Sequence, residues 1–184
     1  MSTALFVIGA PGVGKTTAIR HLVPELRPFG PVRREVEKPK WTICGTTVLA
    51  GHYRGQTFDG GDTVPYTGAR EALEYWKAHL LPVARLTIFD GDRFSTQPSL
   101  DFVRAAGVHV VGVRLFASPE TTKARCAARG SNQNETWIKG RVTKANNFAA
   151  KIGAYSVSTD CLAVEVAMSI EAVLAFERQH EGVA

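Results

Sequence analysis

Leu5-Phe6-Val7-Ile8-Gly9-Ala10-Pro11-Gly12-Val13-Gly14-Lys15-Thr16 is the stretch on which the fold turns. Its first four residues form a short, continuous apolar run, the pattern of a central strand buried on both faces. The next eight complete a G-x-x-x-x-G-K-[ST] motif, and helical periodicity from Lys15 toward Leu26 follows it. Glycines here permit backbone torsions that a side chain forbids, so successive N–H groups turn inward around phosphate oxygens at the positive end of the following helix. Lys15 is expected to reach the β- and γ-phosphates of a nucleoside triphosphate, and Thr16 to ligate Mg²⁺. Gly9, Ala10, Pro11, Gly12, Val13, Gly14 and Thr17 complete the expected nucleotide-binding set. ATP and Mg²⁺ are the cofactors this implies.

Outward from the motif, apolar runs alternate with segments of helical period, which predicts a three-layer α/β domain with a parallel sheet of about five strands. The strands are expected at 5–8, 46–50, 86–89, 108–116 and 154–158. Pro24 should end the first helix early. A second helix is expected over 67–81, where Ala69, Leu73, Trp76 and Leu80 recur at spacings of three and four, Thr67 caps and Pro82 stops. A third spans 98–106. In the fourth, Ser118 caps, Pro119 takes the first position and Gly130 lies past the end. After a polar loop at 131–135 comes a helix whose apolar stripe is Val142, Ala145, Phe148 and Ile152, and a C-terminal helix ends near Arg178. The segment 32–53 is strand-like but irregular.

At 184 residues, 45% hydrophobic and 21% charged, the chain suits one domain over 1–184 with a basic lid and following helix at about 130–152. No apolar run is long enough to span a bilayer, so no membrane association is expected. Cys44, Cys126 and Cys161 have no metal-ligand spacing and suit a reducing cytoplasm as small packing residues. There are 22 basic side chains against 17 acidic. Between Arg114 and Lys151 stand eight basic residues and only two acidic ones. That segment alone exceeds the net charge, which favours a polyanionic partner.

Leu86-Thr87-Ile88-Phe89-Asp90 is an apolar strand ending in a carboxylate, so Asp90 is the candidate for holding Mg²⁺ beside Thr16. The loop from Gly51 to Thr63 brings Tyr53, Asp59, Gly60, Gly61 and Asp62 toward the acceptor. A hydroxyl acceptor needs a carboxylate to take its proton, for which Asp62 or Asp59 would serve. A phosphate acceptor needs arginines instead, for which Arg70 and Arg93 would serve. Arg125, Arg129, Lys139 and Arg141 are placed to close over the triphosphate, and Trp137 to stack on a base. Lys144 and Lys151 are expected to lie away from those lid contacts.

At these residues the chain resembles the nucleoside and nucleotide monophosphate kinases, and Asp92-Arg93-Phe94 is similar to the Asp-Arg-aromatic motif by which thymidylate kinases hold an acceptor nucleotide. It resembles more closely the P-loop kinases of bacterial viruses that phosphorylate 5-hydroxymethyluracil within DNA. Gly51-x-Tyr53 with Gly60-Gly61-Asp62, the Gly91-Asp92-Arg93-Phe94 element, and the lid from Arg129-Gly130-Ser131 to Lys144 carry that likeness. The resemblance implies a P-loop kinase fold, an acceptor site including Tyr53, Asp92 and Arg93, and DNA containing 5-hydroxymethyluracil, or a free deoxynucleotide, as partner. It also implies the cytoplasm of an infected bacterial host. A thymidylate-kinase-like enzyme, a small-molecule alcohol kinase and a non-catalytic nucleotide-binding protein are the alternatives. Asp59 and the Val64-Pro65-Tyr66 segment depart from the family pattern near the acceptor.

Overall fold

β1 (Thr3–Ile8) is buried along its whole length, and alternate side chains leave it in opposite directions: Ala4, Phe6 and Ile8 into one core, Leu5 and Val7 into another. Such a strand needs helices on both sides. The computed structural model supplies them, and it describes residues 2–27, 33–55, 59–130 and 134–180. The other strands are β2 (Arg34–Val36), β3 (Trp41–Cys44), β4 (Thr47–Ala50), β5 (Leu86–Asp90), β6 (His109–Phe116) and β7 (Tyr155–Ser158). They form a seven-stranded sheet in the order β2-β3-β4-β5-β1-β6-β7.

The five strands from β4 to β7 in that order are parallel, as the alternating pattern predicts. β2 and β3 are a correction to the count of about five. They add antiparallel pairs at the β4 edge, within the segment 32–53 whose pattern is strand-like but irregular.

α1 (Lys15–Leu22) and α6 (Ala163–His180) cover one face of the sheet. α2 (Ala69–Tyr75), α3 (Gln97–Ala105) and α5 (Glu135–Lys151) cover the other. α4 (Pro119–Ala128) lies against the loop before α1, where a Cβ on Gly12 (φ 83°) would meet Cys126 Sγ at 2.7 Å. Pro24 opens a short 3-10 turn instead of continuing α1. Ser118, Thr96 and Asn134 cap α4, α3 and α5. Thr67 caps nothing. It sits inside a 3-10 turn, Tyr66–Gly68, and α2 starts behind Gly68 without a side-chain cap. α2 then widens into a π turn, Trp76–Leu80, before Pro82. No described helix is long and apolar enough to cross a membrane.

The core behind the site is aromatic. Phe89 stacks on Phe6 at 4.9 Å and takes the edges of Trp41 and Trp76. Trp76 donates its indole N–H to Thr87 Oγ1 at 2.9 Å, and both residues are fully buried. This bond ties α2 to the strand that carries Asp90. Thr87→Val should leave the indole N–H without a partner in apolar surroundings and destabilise the fold by about 1–3 kcal/mol. Urea unfolding checks this, with the denaturant slope unchanged and nucleotide affinity retained.

Candidate active site

α1 begins with an N-terminus that no side chain caps, and its first turn carries no acidic residue. Those N–H groups and the positive end of the helix therefore stay available for an anion. Lys15 arches over the same loop, donating from Nζ to Gly9 O at 2.9 Å and Ala10 O at 3.2 Å. The loop is braced from behind by Thr159, whose hydroxyl donates to Val13 O at 2.7 Å. Arg125 donates to Val13 O, Thr159 Oγ1 and Thr159 O. Arg125 lines the cleft as expected, but its guanidinium fastens the phosphate loop to the end of the β7 segment. Thr159 escaped the sequence reading because it lies far along the chain from its partner and in no motif.

Asp90 ends β5 under the loop, 3% exposed. Thr16 donates its hydroxyl to Asp90 Oδ2 at 3.3 Å. Oδ1 is buried and has no hydrogen-bond partner among the described residues. Burial pushes the carboxyl pKa up to about 6, with the Asp62 charge adding, while Lys15, the Thr16 hydroxyl and the Gly61 N–H pull it back. Gly60, at φ 64°, is required here, because a Cβ would lie 2.6 Å from Asp90 Oδ2 and 3.1 Å from the Tyr53 ring. An orphaned carboxylate oxygen beside a threonine hydroxyl and a phosphate loop fits a hydrated divalent cation. Thr16 and Asp90 would hold Mg²⁺, which supplies charge neutralisation on the phosphates when bound.

Tyr53 differs from its expected place at the acceptor. It is fully buried behind Asp90, outside the cleft lining, and burial together with the Asp90 charge raises its phenol pKa. Its ring follows β4 directly and the core takes it in.

The cleft has a volume of about 910 Å³. It is lined by the phosphate loop, by Asp62, Asp90 and Asp92, and by Arg129, Trp137 and Arg141. Asp62 is exposed in a short turn, Gly61–Thr63, and its carboxylate has no hydrogen-bond partner among the described residues. Asp92 is a junction. Tyr66 donates its hydroxyl to Asp92 Oδ2 at 3.0 Å, Arg141 from α5 pairs with the same oxygen, and Arg93 Nη1 stands 3.5 Å from Oδ1. Lys144 donates to the Asp92 carbonyl at 3.1 Å, so it belongs to the cleft rather than away from it. Arg93 also donates to Val64 O at 2.9 Å and lies flat on the Tyr66 ring, 3.5 Å from its centroid. Arg141 lies 4.8 Å from the Trp137 ring. The sequence reading noted Tyr66 only as a departure from a pattern.

Three further expected site residues lie outside the cleft lining. Asp59 is ion-paired with Arg20 of α1 and accepts from the Arg54 N–H at 2.7 Å, which makes it the anchor of its loop. Arg70 points to solvent on α2 and pairs with Glu74 one turn on. Lys139 is exposed on α5 and outside the cleft lining, because that helix turns its Arg141 and Lys144 side inward. Gly9, Pro11, Gly12, Gly14, Thr17 and Arg129 do line the cleft, while Ala10 and Val13 are buried beneath it. Cys44 and Cys126 are buried packing residues, but Cys161 is exposed at the cleft wall. The middle of the expected lid loop, 131–133, lies outside the described residues, as do Gln56, Thr57 and Phe58.

Asp90 makes fold stability depend on pH. Its ordinary value is 3.8 and its folded value about 6. In that window the folded chain keeps a proton that the unfolded chain has released, so this contribution is complete at low pH and lost as pH rises through the folded value. Asp90→Asn should therefore stabilise the metal-free protein at pH 7.5 by on the order of 2–3 kcal/mol. The advantage should shrink toward pH 4, and Mg²⁺-dependent stabilisation should be lost with it. Paired urea titrations at the two pH values check this, and equal stability of both proteins throughout would mean the carboxylate bears no desolvation cost.

The sequence profile of a family described as P-loop Nucleotide Kinase3 matches residues 1–174. No curated protein matches the chain by sequence. Solved structures of similar fold include the shikimate kinase of Acinetobacter baumannii, at 16% identity and a TM-score of 0.57, covering 96% of this chain and 95% of that one. The tunicamycin resistance protein of Deinococcus radiodurans is similar at 14% identity and a TM-score of 0.56, covering 95% and 96%. The gluconokinase of Sinorhizobium meliloti 1021 follows at 14% and 0.54, covering 98% and 95%. With its phosphate loop set between β1 and α1 of a three-layer α/β fold, the chain belongs to the P-loop nucleotide kinase family.

Proposed function

We propose that the protein is an ATP-dependent kinase that transfers the γ-phosphoryl group to a hydroxyl. The observation that carries this is Asp62: a solvent-facing carboxylate on the wall of the cleft, with no hydrogen-bond partner among the described residues. Asp59, the other candidate base, is neutralised by Arg20. A phosphate acceptor is already ionised and calls for uncommitted arginines, whereas Arg93 and Arg141 are engaged with Asp92. In this reading the acceptor oxygen bonds to the γ-phosphorus, the bond from that phosphorus to the ADP oxygen breaks, and Asp62 takes the hydroxyl proton. Lys15 and Arg129 stabilise charge on the transferred group.

Two sources of hydroxyl fit: a compact alcohol metabolite, as the fold neighbours titled shikimate kinase and gluconokinase suggest, or the hydroxymethyl group of 5-hydroxymethyluracil in DNA, as the sequence resemblance implies. The compact alcohol ranks first. Of the eight basic residues between Arg114 and Lys151, four have internal work: Arg114 holds Asn146, Arg125 holds Thr159, Arg141 holds Asp92, and Lys144 holds the Asp92 carbonyl. The charge excess thus argues for a polyanion less than its total suggests. Labelled-ATP transfer to a panel of polyols, 5-hydroxymethyldeoxyuridine, nucleoside monophosphates and modified DNA tests the reading. Transfer only to phosphate oxygens would overturn it.

Lys15→Ala should abolish transfer while lowering thermal stability only modestly, because the ammonium holds its own loop and eases the buried charge of Asp90. Asp62→Asn should lower kcat by about 10²-fold or more with the KM for ATP unchanged, the usual size of a general-base contribution. A loss confined to the acceptor KM would make Asp62 a binding residue instead.

A further inference from the structure

We infer that Tyr53 is a positioning residue for the cation site: its hydroxyl donates to Asp90 Oδ2 and holds the carboxylate so that Oδ1 is the atom offered to the ion. This rests on the assignment of that site to Thr16 and Asp90, and it is independent of which acceptor is used. The Tyr53 ring is fully buried in the core layer that contains Leu5, Val7, Leu49 and Ile88. A phenylalanine would fill that space equally well. The hydroxyl oxygen, however, is buried without a hydrogen-bond partner among the described residues. Taking a hydroxyl out of water without giving it a partner destabilises a fold, so packing alone does not account for it. Of the four such side-chain atoms among the described residues, one is Tyr53 Oη and another is Asp90 Oδ1.

The two residues meet at Gly60. A Cβ there would lie 3.1 Å from Tyr53 Cζ, the carbon that bears the hydroxyl, and 2.6 Å from Asp90 Oδ2. Phenol tip and carboxylate therefore flank one point that only glycine leaves free. Burial raises the phenol pKa, and the charge and nearness of the Asp90 carboxylate raise it further, so the hydroxyl keeps its proton and is a donor beside an acceptor. The backbone around the ring is fixed as well. The Gly60 N–H donates to His52 O at 2.7 Å, and the His52 N–H donates to Thr63 Oγ1 at 2.9 Å. Swinging the ring away would open the loop that carries Asp62. Thr16 already donates to Oδ2 at 3.3 Å, and a carboxylate oxygen has a second lone pair for the phenol. Donors gathered on Oδ2 fix the rotation of the carboxylate and leave Oδ1 as its free ligand atom. Outer partners of this kind are worth roughly 10- to 100-fold in metal affinity.

The test is Tyr53→Phe in the full chain, which keeps the ring and removes only the oxygen. Mn²⁺ binding in the presence of a non-hydrolysable ATP analogue, read by electron paramagnetic resonance, should weaken about tenfold or more. Affinity for the same analogue without divalent cation should stay at the wild-type value. Urea unfolding without divalent cation should give a midpoint at or above wild type, because the variant no longer buries an unpaired hydroxyl. Ile88→Val, a trimmed side chain in the same core layer, should lower that midpoint and leave Mn²⁺ affinity unchanged. Unchanged Mn²⁺ affinity in Tyr53→Phe would overturn the proposal, and so would an equal loss in Ile88→Val, which would trace the effect to a softened core. Asp90→Asn is the reference: Mn²⁺ affinity retained there would remove the cation site and this proposal with it. Failure of transfer to every hydroxyl would remove the hydroxyl-kinase reading alone, and the Mn²⁺ result would still decide the role of Tyr53.

Discussion

Burying the carboxylate of Asp90 costs several kcal/mol in lost hydration unless charge is brought to it, and the surroundings of the cleft follow from that cost. The side chain ends a strand that is buried up to that point, with one oxygen accepting from Thr16 and the other without a partner. Lys15 and the Gly61 N–H soften the penalty without cancelling it, since the carboxyl pKa still rises to about 6. A divalent cation held by Thr16 and Asp90 would offset the rest. The oxygen without a partner therefore favours a cation at this site. Gly60 must lack a Cβ because its loop closes down on this carboxylate, with the buried Tyr53 ring packed beside it.

Asp92, two residues on, has the opposite character. It is partly exposed and gathers Tyr66, Arg93, Arg141 and Lys144 from three different parts of the chain. Ion pairs at such a surface are worth little individually, so the contacts between the strand end and α5 add little to the stability of the fold. By contrast, Asp59 and Arg20 join the acceptor loop to α1 with the carboxylate almost fully covered. One aspartate thus pins a loop and another holds a helix loosely, and the cleft lies between them. The same division explains why Arg125, although it lines the cleft, acts as a fastening: both of its Nη groups are spent on Thr159 and Val13.

Local pattern alone determined the strand, glycine loop and helix at 3–22, the five parallel strands, the Ser118 cap with Pro119 at the first helical position, and the candidacy of Lys15, Thr16, Asp62 and Asp90. Each depends on hydrogen bonding or periodicity within a few neighbouring residues, which composition and spacing express directly. Tertiary structure decided the rest, because burial and ion pairing are settled by partners distant in sequence. Asp59 is drawn into an ion pair by Arg20, 39 residues away. Tyr53 left the acceptor site because the core had room for its ring behind Asp90, and Thr159 entered the site from 146 residues beyond Val13. Lys139 and Lys144 are both basic residues of one helix, and only the packing of α5 on the sheet chose which of them faces the cleft.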